Sequence, residues 1–209
     1  VSGLELRMLG HFLATHDNGA YGHEVVNGDI HTVNQKAAGL PTRNSAKTFI
    51  YGFLYGAGAQ KIGSIVGKGP KEGQKLKNKF LDQTPALAKL IATVTRASKR
   101  GFLRGLDGRI LHCRSAHSSL NLLLQSAGAL VCKQWAVEMD EALRSNNLKH
   151  KCQVVANIHD EHQYECDEDV AELVGQLSIQ SIKKAGLHFN LKVELDGEAK
   201  IGNNWYETH

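Results

Sequence analysis

One helical segment, residues 43–54, constrains the fold of this 209-residue chain more than any other part of it. Arg43, Lys47 and Tyr51 are spaced four residues apart, so on an α-helix their side chains follow one slowly turning stripe. Apolar residues recur on the other side at the spacing of a packed helix: Ala46, Phe49, Ile50, Phe53 and Leu54. The segment therefore predicts a helix, begun by Pro41-Thr42, with one face in a core and two cations and a phenol on the other.

The polar stripe allows two interpretations. Arg43 and Tyr51 are ~12 Å apart along the axis, at about 1.5 Å of rise per residue, which is about the length of a nucleoside triphosphate. The cations would then lie at the phosphate end and the aromatic ring at the base end. The alternative is a solvated basic face with a tyrosine lying along it, since charge runs are common on surface helices. The helix alone leaves both interpretations open.

The other periodicities predict a helical first half and a mixed second half. Helices are predicted at Leu4–Leu13, after a cap at Asp29 or Thr32, at Lys71–Leu81, at Pro85–Lys99 after a Thr84 cap, at Ser118–Leu143, and from an Asp167 cap to Gly186. A hairpin is predicted at Leu106–Ile110, and strands at Val154–Ile158, at Gln163–Cys166 and along Leu191, Val193 and Leu195. We therefore predict an α+β fold in which a helical lobe is inserted into one with a small antiparallel sheet flanked by helices.

Composition narrows the class of protein. The hydrophobic content of 42% and charged content of 22% are ordinary for a soluble protein. No apolar run is long enough to span a membrane and no signal peptide is present, so we predict a cytoplasmic protein without a membrane partner. Cys113, Cys132, Cys152 and Cys166 form no CxxC pair, which favours reduced thiols over disulfides or a zinc site. Because the chain begins at Val1 without a Met, we expect a piece of a longer protein or a processed product.

The charge distribution is uneven along the chain. A net charge of +4 is compatible with a polyanionic partner. Residues 61–79 contain six lysines and one acidic residue, Glu72, so this segment is either a mobile solvated surface or a phosphate-facing one. The glycine-rich run Gly63–Gly69 is not a Walker phosphate loop, because its spacing is wrong and no Ser or Thr follows Lys68.

His159-Asp160-Glu161 separates the two predicted central strands. Adjacent side chains on a regular strand point to opposite faces, but a hairpin turn can hold a carboxylate out toward a metal ion. Mg²⁺ usually takes one or two carboxylates together with phosphate oxygens and water. The alternative is a polar hairpin tip without a ligand, which is the commoner case for an isolated acidic pair. A zinc site at His159-x2-His162 has too few ligands.

Separated motifs, in order along nearly the whole chain, resemble those of the family A (polymerase I-like) DNA polymerases. The nucleotide-binding helix of that family resembles Arg43-x3-Lys47-x3-Tyr51-Gly52 with Tyr55-Gly56, and its third motif resembles His159-Asp160-Glu161. Its first motif, Asp-x-Ser-x-x-Glu-Leu-Arg, matches Val1–Arg7 except for the Asp. Further matches are His31 in Gly28–Thr32, Asn121-x3-Gln125, and the end of the chain from Asn204-Trp205 to His209. The segments 40–43 and 53–58 look most like the bacteriophage replicative branch, whereas His117 departs from an Arg common in polymerase I enzymes.

This resemblance implies a role for each matched residue. The nucleotide-binding residues would be Arg43 and His31 on the outer phosphates, Lys47 on the α-phosphate, Tyr51 on the base, Tyr55 near the template and Glu5 against the sugar 2′ position. The catalytic residues would be Asp160, Glu161 and Lys47. Two Mg²⁺ ions would be held by Asp160 and the Val1 carbonyl, and Asn121, Gln125 and His159 would contact DNA.

The resemblance also implies an organisation and a reaction. Residues 1–17 and 106–209 would form part of a palm, and residues 18–105 would form the fingers inserted into it. The reaction would be template-directed transfer of dNTP to a primer 3′-OH, with primer-template DNA as the macromolecular partner. Closure of the fingers would bring the stripe on residues 43–51 onto the palm carboxylates.

One metal-binding carboxylate of the family falls immediately before Val1. We therefore expect the C-terminal part of a larger polymerase, with the thumb, the rest of the palm and a possible exonuclease supplied by other segments or by a partner subunit. With one carboxylate missing, we expect little or no polymerase activity from this piece alone. The alternatives are a subunit of a split polymerase and a non-catalytic nucleic-acid-binding remnant.

Overall fold

The computed structural model describes residues 1–208 as a mostly helical α+β fold with two small antiparallel sheets. The helices are α1 (Leu4–Asp17), α2 (Ala20–Asn27), α3 (Ile30–Ala38), α4 (Arg43–Leu54), α5 (Ala59–Ser64), α6 (Pro70–Gln83), α7 (Pro85–Ser98), α8 (Ser119–Ser145), α9 (Ala171–His188) and α10 (Trp205–Thr208). The strands are β1 (Phe102–Arg104), β2 (Ile110–His112), β3 (Cys152–Ile158) and β4 (Glu161–Cys166). Short 3-10 turns at Ala116–Ser118 and Glu168–Val170 lead into α8 and α9. The predicted fold class is confirmed.

Helix α4 has the two faces that its sequence predicts. A capping box begins it, in which the backbone N–H of Ser45 donates to Thr42 Oγ1 at 3.1 Å and that of Thr42 donates to Ser45 Oγ at 3.2 Å. The whole predicted apolar face is buried. Phe49 and Phe53 both meet the ring of Phe80 on α6 edge to face, with centroids 5.2 and 5.3 Å apart. Aromatic packing, worth about 0.5–1.5 kcal/mol per pair beyond area burial, therefore fixes α4 on α6.

The long helix α8 packs against α1, α7 and α9 at the centre of the molecule. Its predicted packed face is buried: Leu120, Leu123, Leu124, Ala127 and Val131. Further along, the buried Trp135 donates from Nε1 to the carbonyl of Ser178 on α9 at 2.9 Å. Beyond this point a second apolar cluster joins the end of α8 to β3 and α9, through residues such as Met139, Cys152 and Val174. The helix therefore links the main core to the β3–β4 sheet.

Both predicted hairpins are confirmed. The first, β1–β2, turns at Asp107-Gly108, where Gly108 has a φ of +81°, a conformation that glycine adopts without strain. The second, β3–β4, begins two residues earlier on each strand than the sequence predicted. It closes at the Ile158–Glu161 pair, so that only two residues form its turn.

The predicted strand along Leu191, Val193 and Leu195 is wrong, because residues 191–195 belong to neither sheet. The alternation of burial was interpreted correctly, since Val193 and Leu195 are 3% and 1% exposed. Val193 packs against the backbones of Gly10 on α1 and Gly22 on α2, where an added Cβ would lie 3.0 and 2.6 Å from its methyl group. The segment is therefore an extended strap across two helices and not a strand beside another strand.

Side chains from α1 satisfy the backbone of this strap in place of a neighbouring strand. The N–H of Lys192 donates to Nδ1 of His11 at 3.1 Å, and the buried guanidinium of Arg7 donates to the carbonyl of Glu194. Burial lowers the pKa of Arg7, and nearby carboxylates oppose that shift. The backbone groups of this segment are satisfied by side chains of α1 and not by a neighbouring strand. Alternating burial therefore does not produce a β-strand here.

Two predicted caps differ in the structure. Asp167 makes no side-chain cap hydrogen bond and precedes a 3-10 turn, and α9 continues past Gly186 to His188. Thr84 stands at the start of α7 without capping it, because its hydroxyl donates to the carbonyl of Phe80 at 2.6 Å. The predicted Asp29 cap is confirmed, since its carboxylate accepts the first N–H groups of α3.

All four cysteines are free, in agreement with the predicted thiols. Within residues 1–208, no helix has both the length and the apolar character needed to cross a membrane. The match proposed for His209 lies outside the described residues.

Candidate active site

A cleft of about 740 Å³ opens between the start of α1, the end of α4, the first half of α8 and the β3–β4 turn. The residues that line it range from position 4 to position 160 of the sequence. Its lining includes seven of the predicted site residues: Glu5, Tyr51, Tyr55, Asn121, Gln125, His159 and Asp160. The fold therefore gathers at one place most of the residues that separate motifs singled out.

The β3–β4 turn presents Asp160 to this cleft. His159 is the first residue of the two-residue turn and has a φ of +54°, a left-handed conformation that two-residue hairpin turns require. The backbone nitrogen of Val1 donates to the backbone carbonyl of Asp160 at 2.7 Å, which connects the β3–β4 turn to the segment before α1. Glu161, by contrast, begins β4, and its carboxylate accepts from the amide of Gln163 on the same strand. Glu161 is not among the residues that line the cleft.

Glu5 lies in the first turn of α1 and accepts a hydrogen bond from the hydroxyl of Tyr55 at 3.0 Å. Burial, together with the hydrogen bond and the charge of Glu5, raises the pKa of Tyr55 to about 12. Tyr55 is therefore a neutral donor at physiological pH. Tyr51 lies one turn before it, with ring centroids 6.4 Å apart, and burial together with the charges of Glu5 and Asp160 raises its pKa. Two adjacent phenol rings thus cover the α4 side of the cleft.

The cationic end of α4 extends beyond the cleft. The ring of His31, at the start of α3, lies 6.3 Å from that of Tyr51, which connects the two regions. Burial lowers the pKa of His31, and the positive charges of Arg43 and Lys47 lower it further. Its Nδ1 is buried without a hydrogen-bond partner within residues 1–208. A neutral imidazole and two cations therefore lie together, which favours the binding of an anion.

Arg43 and Lys47 differ in their contacts. Arg43 donates from Nε to Oδ2 of Asp29 at 2.8 Å, a contact that the sequence did not predict because 14 positions separate the two residues. Lys47 is exposed, and in the described part of the chain its ammonium makes neither a hydrogen bond nor an ion pair. One cation is held by a carboxylate while the other is available to a ligand.

Helix α8 supplies the polar wall opposite. Asn121 and Gln125 are one turn apart and both line the cleft, as the i, i+4 spacing predicts. The side chain of Gln125 also hydrogen-bonds Tyr55. Gly128, one further turn along, is packed against Leu4 of α1, and a Cβ at this position would lie 3.2 Å from that side chain. Close approach at Gly128 brings Glu5 next to Gln125.

Sequence reasoning missed several supports of the site. The ring of His162 stacks on Trp135 at a centroid distance of 3.8 Å and so attaches β4 to α8 next to Asp160. Burial lowers the pKa of His162 to about 4. His117 lies within 2.7 Å of the Gly56 carbonyl through Nε2, which fixes the loop after α4. None of these contacts has a local sequence signal, because each joins residues that are distant in sequence or of ordinary surface type.

Comparisons with known proteins agree with this geometry. A sequence model described as "DNA polymerase family A" matches residues 1–207. A protein of Enterobacteria phage T3 named "DNA-directed DNA polymerase" is 49% identical over all of this chain, and one of Escherichia phage T7 with the same name is 48% identical. Both matches cover 32% of the phage proteins, so the chain spans about a third of the length of these relatives.

A bacterial relative and a solved structure extend the likeness. DNA polymerase I of Pseudomonas aeruginosa is 29% identical over all of this chain and 24% of its own length. The POL domain of Pol1 from M. smegmatis, solved in complex with DNA primer-template and dNTP, superposes with a TM-score of 0.82 at 20% identity, over 99% of this chain and 39% of that one. This similarity shows a shared fold. Since the family model matches almost the full length, the chain belongs to DNA polymerase family A.

Proposed function

We propose that this chain is the part of a DNA polymerase that binds the incoming dNTP and forms one wall of the site of nucleotidyl transfer. The observation that carries the proposal is the single cleft in which Glu5, Tyr51, Gln125 and Asp160 meet from four separate elements. The names of the phage relatives support the same reaction. In this proposal residues 18–105 are the fingers, and residues 1–17 and 106–209 belong to the palm.

The triphosphate is proposed to lie along α4, with its phosphates at the cationic end. Lys47 is exposed and without a partner in the described residues, so its ammonium can neutralise the α-phosphate and give a proton to the leaving pyrophosphate. Arg43 and His31 are proposed to bind the outer phosphates. The partnerless Nδ1 of His31 supports this role, since a buried polar atom without a hydrogen bond costs about 1–3 kcal/mol unless a ligand satisfies it.

The base and sugar are proposed to lie at the tyrosine end. Tyr51 would stack on the incoming base, and Tyr55 would stand near the template. The carboxylate of Glu5 is held by the Tyr55 hydroxyl, and a fixed carboxylate at the sugar 2′ position would exclude a ribose hydroxyl by crowding. Asn121, Gln125 and His159 line the same cleft and would contact the DNA, the two amides at minor-groove acceptors that all correct base pairs share.

Asp160 and the carbonyl of Val1 are proposed to hold Mg²⁺, with Glu161 next to them. Oxygen ligands of this kind fit magnesium, which needs only one or two protein carboxylates when phosphate oxygens complete its shell. Two such ions, when bound, supply charge neutralisation and activation of the primer 3′-OH. Within residues 1–208 no group of three or more His, Cys, Asp or Glu side chains could hold a metal ion, so this chain provides only part of the site.

Asp160 is therefore the residue on which the proposal is tested. The chain is exchanged for the matching third of the phage T7 relative, to which it is 48% identical, and primer extension is measured. We expect the chimera to extend a primer and Asp160→Asn to abolish extension, whereas Asp82→Asn, an exposed position on α6, leaves it unchanged. Extension by the Asp160→Asn chimera at the wild-type rate would contradict a catalytic role and favour a DNA-binding remnant.

The isolated chain is proposed to be inactive in the same assay. Asp160 is the only aspartate among the described residues that line the cleft, which leaves the charge of two ions uncompensated. Other segments, either continuous with this chain or on a partner subunit, would supply the remaining carboxylate, the thumb and any exonuclease. Robust primer extension by the 209-residue chain alone would refute this part of the proposal.

A further inference from the structure

The carboxylate of Asp29 contacts both α3 and α4. Its Oδ1 accepts from the backbone N–H groups of His31 and Thr32 at 3.2 and 3.4 Å, and its Oδ2 accepts from the Thr32 hydroxyl at 2.7 Å. These three bonds fix the carboxylate on the end of α3. The same Oδ2 accepts from Nε of Arg43, on the next helix, at 2.8 Å.

The contact uses the inner nitrogen of the guanidinium. Because a guanidinium is planar and rigid, a bond at Nε sets the plane in which the two terminal nitrogens lie. Within residues 1–208 those terminal nitrogens make no hydrogen bond or ion pair. An arginine held in this way presents a two-nitrogen fork whose direction is set by α3 and not by its own flexible stem.

We propose that Asp29 is a positioning residue, which aims the terminal nitrogens of Arg43 at the outer phosphates of a bound dNTP. The proposal rests on the function proposed above. His31 supports it, because this residue follows the Asp29 cap by two positions and its partnerless Nδ1 lies in the same cationic group. One carboxylate thus places both residues that face the phosphates.

If Asp29 is a simple surface charge, its removal should change dATP binding in the opposite direction from the one that a positioning role predicts. The two side chains are 44% and 52% exposed, and an exposed ion pair contributes little to folding stability. If Asp29 were only a surface charge, its removal would strengthen the binding of a triphosphate by relieving repulsion. If it positions Arg43, its removal weakens binding. The direction of the change therefore separates the two roles.

The test measures the affinity of the 209-residue chain for Mg–dATP and for dAMP by calorimetry. Asp29→Ser and Asp29→Asn both keep an oxygen that can cap α3, but neither leaves an acceptor for Nε of Arg43, because serine is too short and the one amide oxygen of asparagine is used by the cap. We expect both variants to weaken dATP binding about three- to tenfold, the range of one hydrogen bond. Binding of dAMP, which lacks the outer phosphates, is expected to change in neither variant.

A second set of variants, which carry Arg43→Gln, tests whether Asp29 acts on dATP binding through Arg43. In Arg43→Gln, which itself weakens dATP binding, Asp29→Ser is expected to have no additional effect. Tighter binding by Asp29→Ser, or an equal loss in the Arg43→Gln background, would overturn the positioning role while leaving the proposed function intact. Equal affinity of the wild type for dATP and dAMP, with no effect of Arg43→Gln, would instead overturn the proposed phosphate site and this inference with it.

Discussion

The hydroxyl of Tyr55 donates a 3.0 Å hydrogen bond to Oε1 of Glu5, across 50 positions of sequence. The bond joins the residue that follows α4 to the first turn of α1, and Gln125 of α8 reaches the same phenol. Three helices that are distant in sequence, α1, α4 and α8, are thus connected at the hydroxyl oxygen of Tyr55. The bond also fixes the direction of the Glu5 carboxylate, which points into the cleft where we propose that the sugar lies.

The ionisation of Tyr55 should depend on Glu5. The pKa of Tyr55, about 12, lies above the usual value because of burial and then because of the hydrogen bond and charge of Glu5. We expect Glu5→Gln, which keeps an acceptor but removes the charge, to lower this pKa toward its ordinary value of about 10. Ultraviolet titration of each protein, minus that of its Tyr55→Phe counterpart, isolates this phenol. An unchanged midpoint in Glu5→Gln would contradict the assigned contact.

The same shift has a consequence for stability at alkaline pH. A folded-state pKa above the unfolded value means that the contribution of Tyr55 is fully present below pH ~10 and is lost as the pH rises through about 12. We expect the wild type to lose stability more steeply than Tyr55→Phe over that interval, as measured by urea denaturation at each pH. Parallel curves for the two proteins would show that the phenol has the same pKa in both states.

Gly73 should be intolerant of any side chain. A Cβ at this position would lie 1.9 Å from the carbonyl oxygen of Ala59 and 2.6 Å from the backbone nitrogen of Gly63, so α5 and α6 could not keep their contact. We expect Gly73→Ala to lower the free energy of unfolding by about 2–4 kcal/mol in urea denaturation. Gly69→Ala is the matched control, because a Cβ there has no neighbour within 4 Å, and we expect a loss below about 1 kcal/mol. Equal losses would disprove the backbone contact as the cause.

Local patterns sufficed for the parts of the fold whose causes are local. The start of α4 at Thr42, the Asp29 cap, the packed face of α4 and the two hairpin turns each depend on residues close together in the sequence. The strand predicted at residues 191–195 was wrong for the opposite reason. Its alternating burial is real, but its polar partners are side chains on α1, about 180 positions away, as in the Lys192 contact with His11.

The same division applies to the candidate site. Residue types and spacing singled out Tyr51, Gln125 and Asp160, and the resemblance to one family related them to a single reaction. The contacts that orient these residues could not be predicted. The Asp29–Arg43 pair, the His162–Trp135 stack and the bond from Val1 to Asp160 are all formed between segments by the tertiary fold. Sequence therefore predicts which groups meet in the cleft more readily than what holds them in place.

The stability of the strap at residues 191–195 should depend on pH through the protonation of His11. Its Nδ1 accepts the N–H of Lys192, which requires a neutral ring, and burial with the charge of Lys192 lowers the pKa of His11. A folded-state pKa below the unfolded value of about 6.5 means that this stabilisation is present above pH 6.5 and is lost as the pH falls below it. We expect hydrogen exchange at the Lys192 amide, corrected for its intrinsic pH dependence, to gain protection as the pH rises through this range. His11→Phe, which cannot accept a hydrogen bond, should lack that dependence, and its persistence would contradict the contact.

Lys47 should contribute to binding without contributing to stability. Its ammonium is exposed and has no protein partner in the described residues, so Lys47→Gln removes a charge that folding does not use. We expect unfolding in urea to be unchanged and the affinity for Mg–dATP to fall roughly 10- to 100-fold, the usual range for a hydrogen bond to a charged group. The difference should shrink as salt is added, since exposed charges are screened. Lys89→Gln, also exposed but on α7, is the control. If Lys89→Gln weakened dATP binding as much as Lys47→Gln, the loss of affinity would reflect net charge alone, and the stripe on α4 would be a solvated basic face.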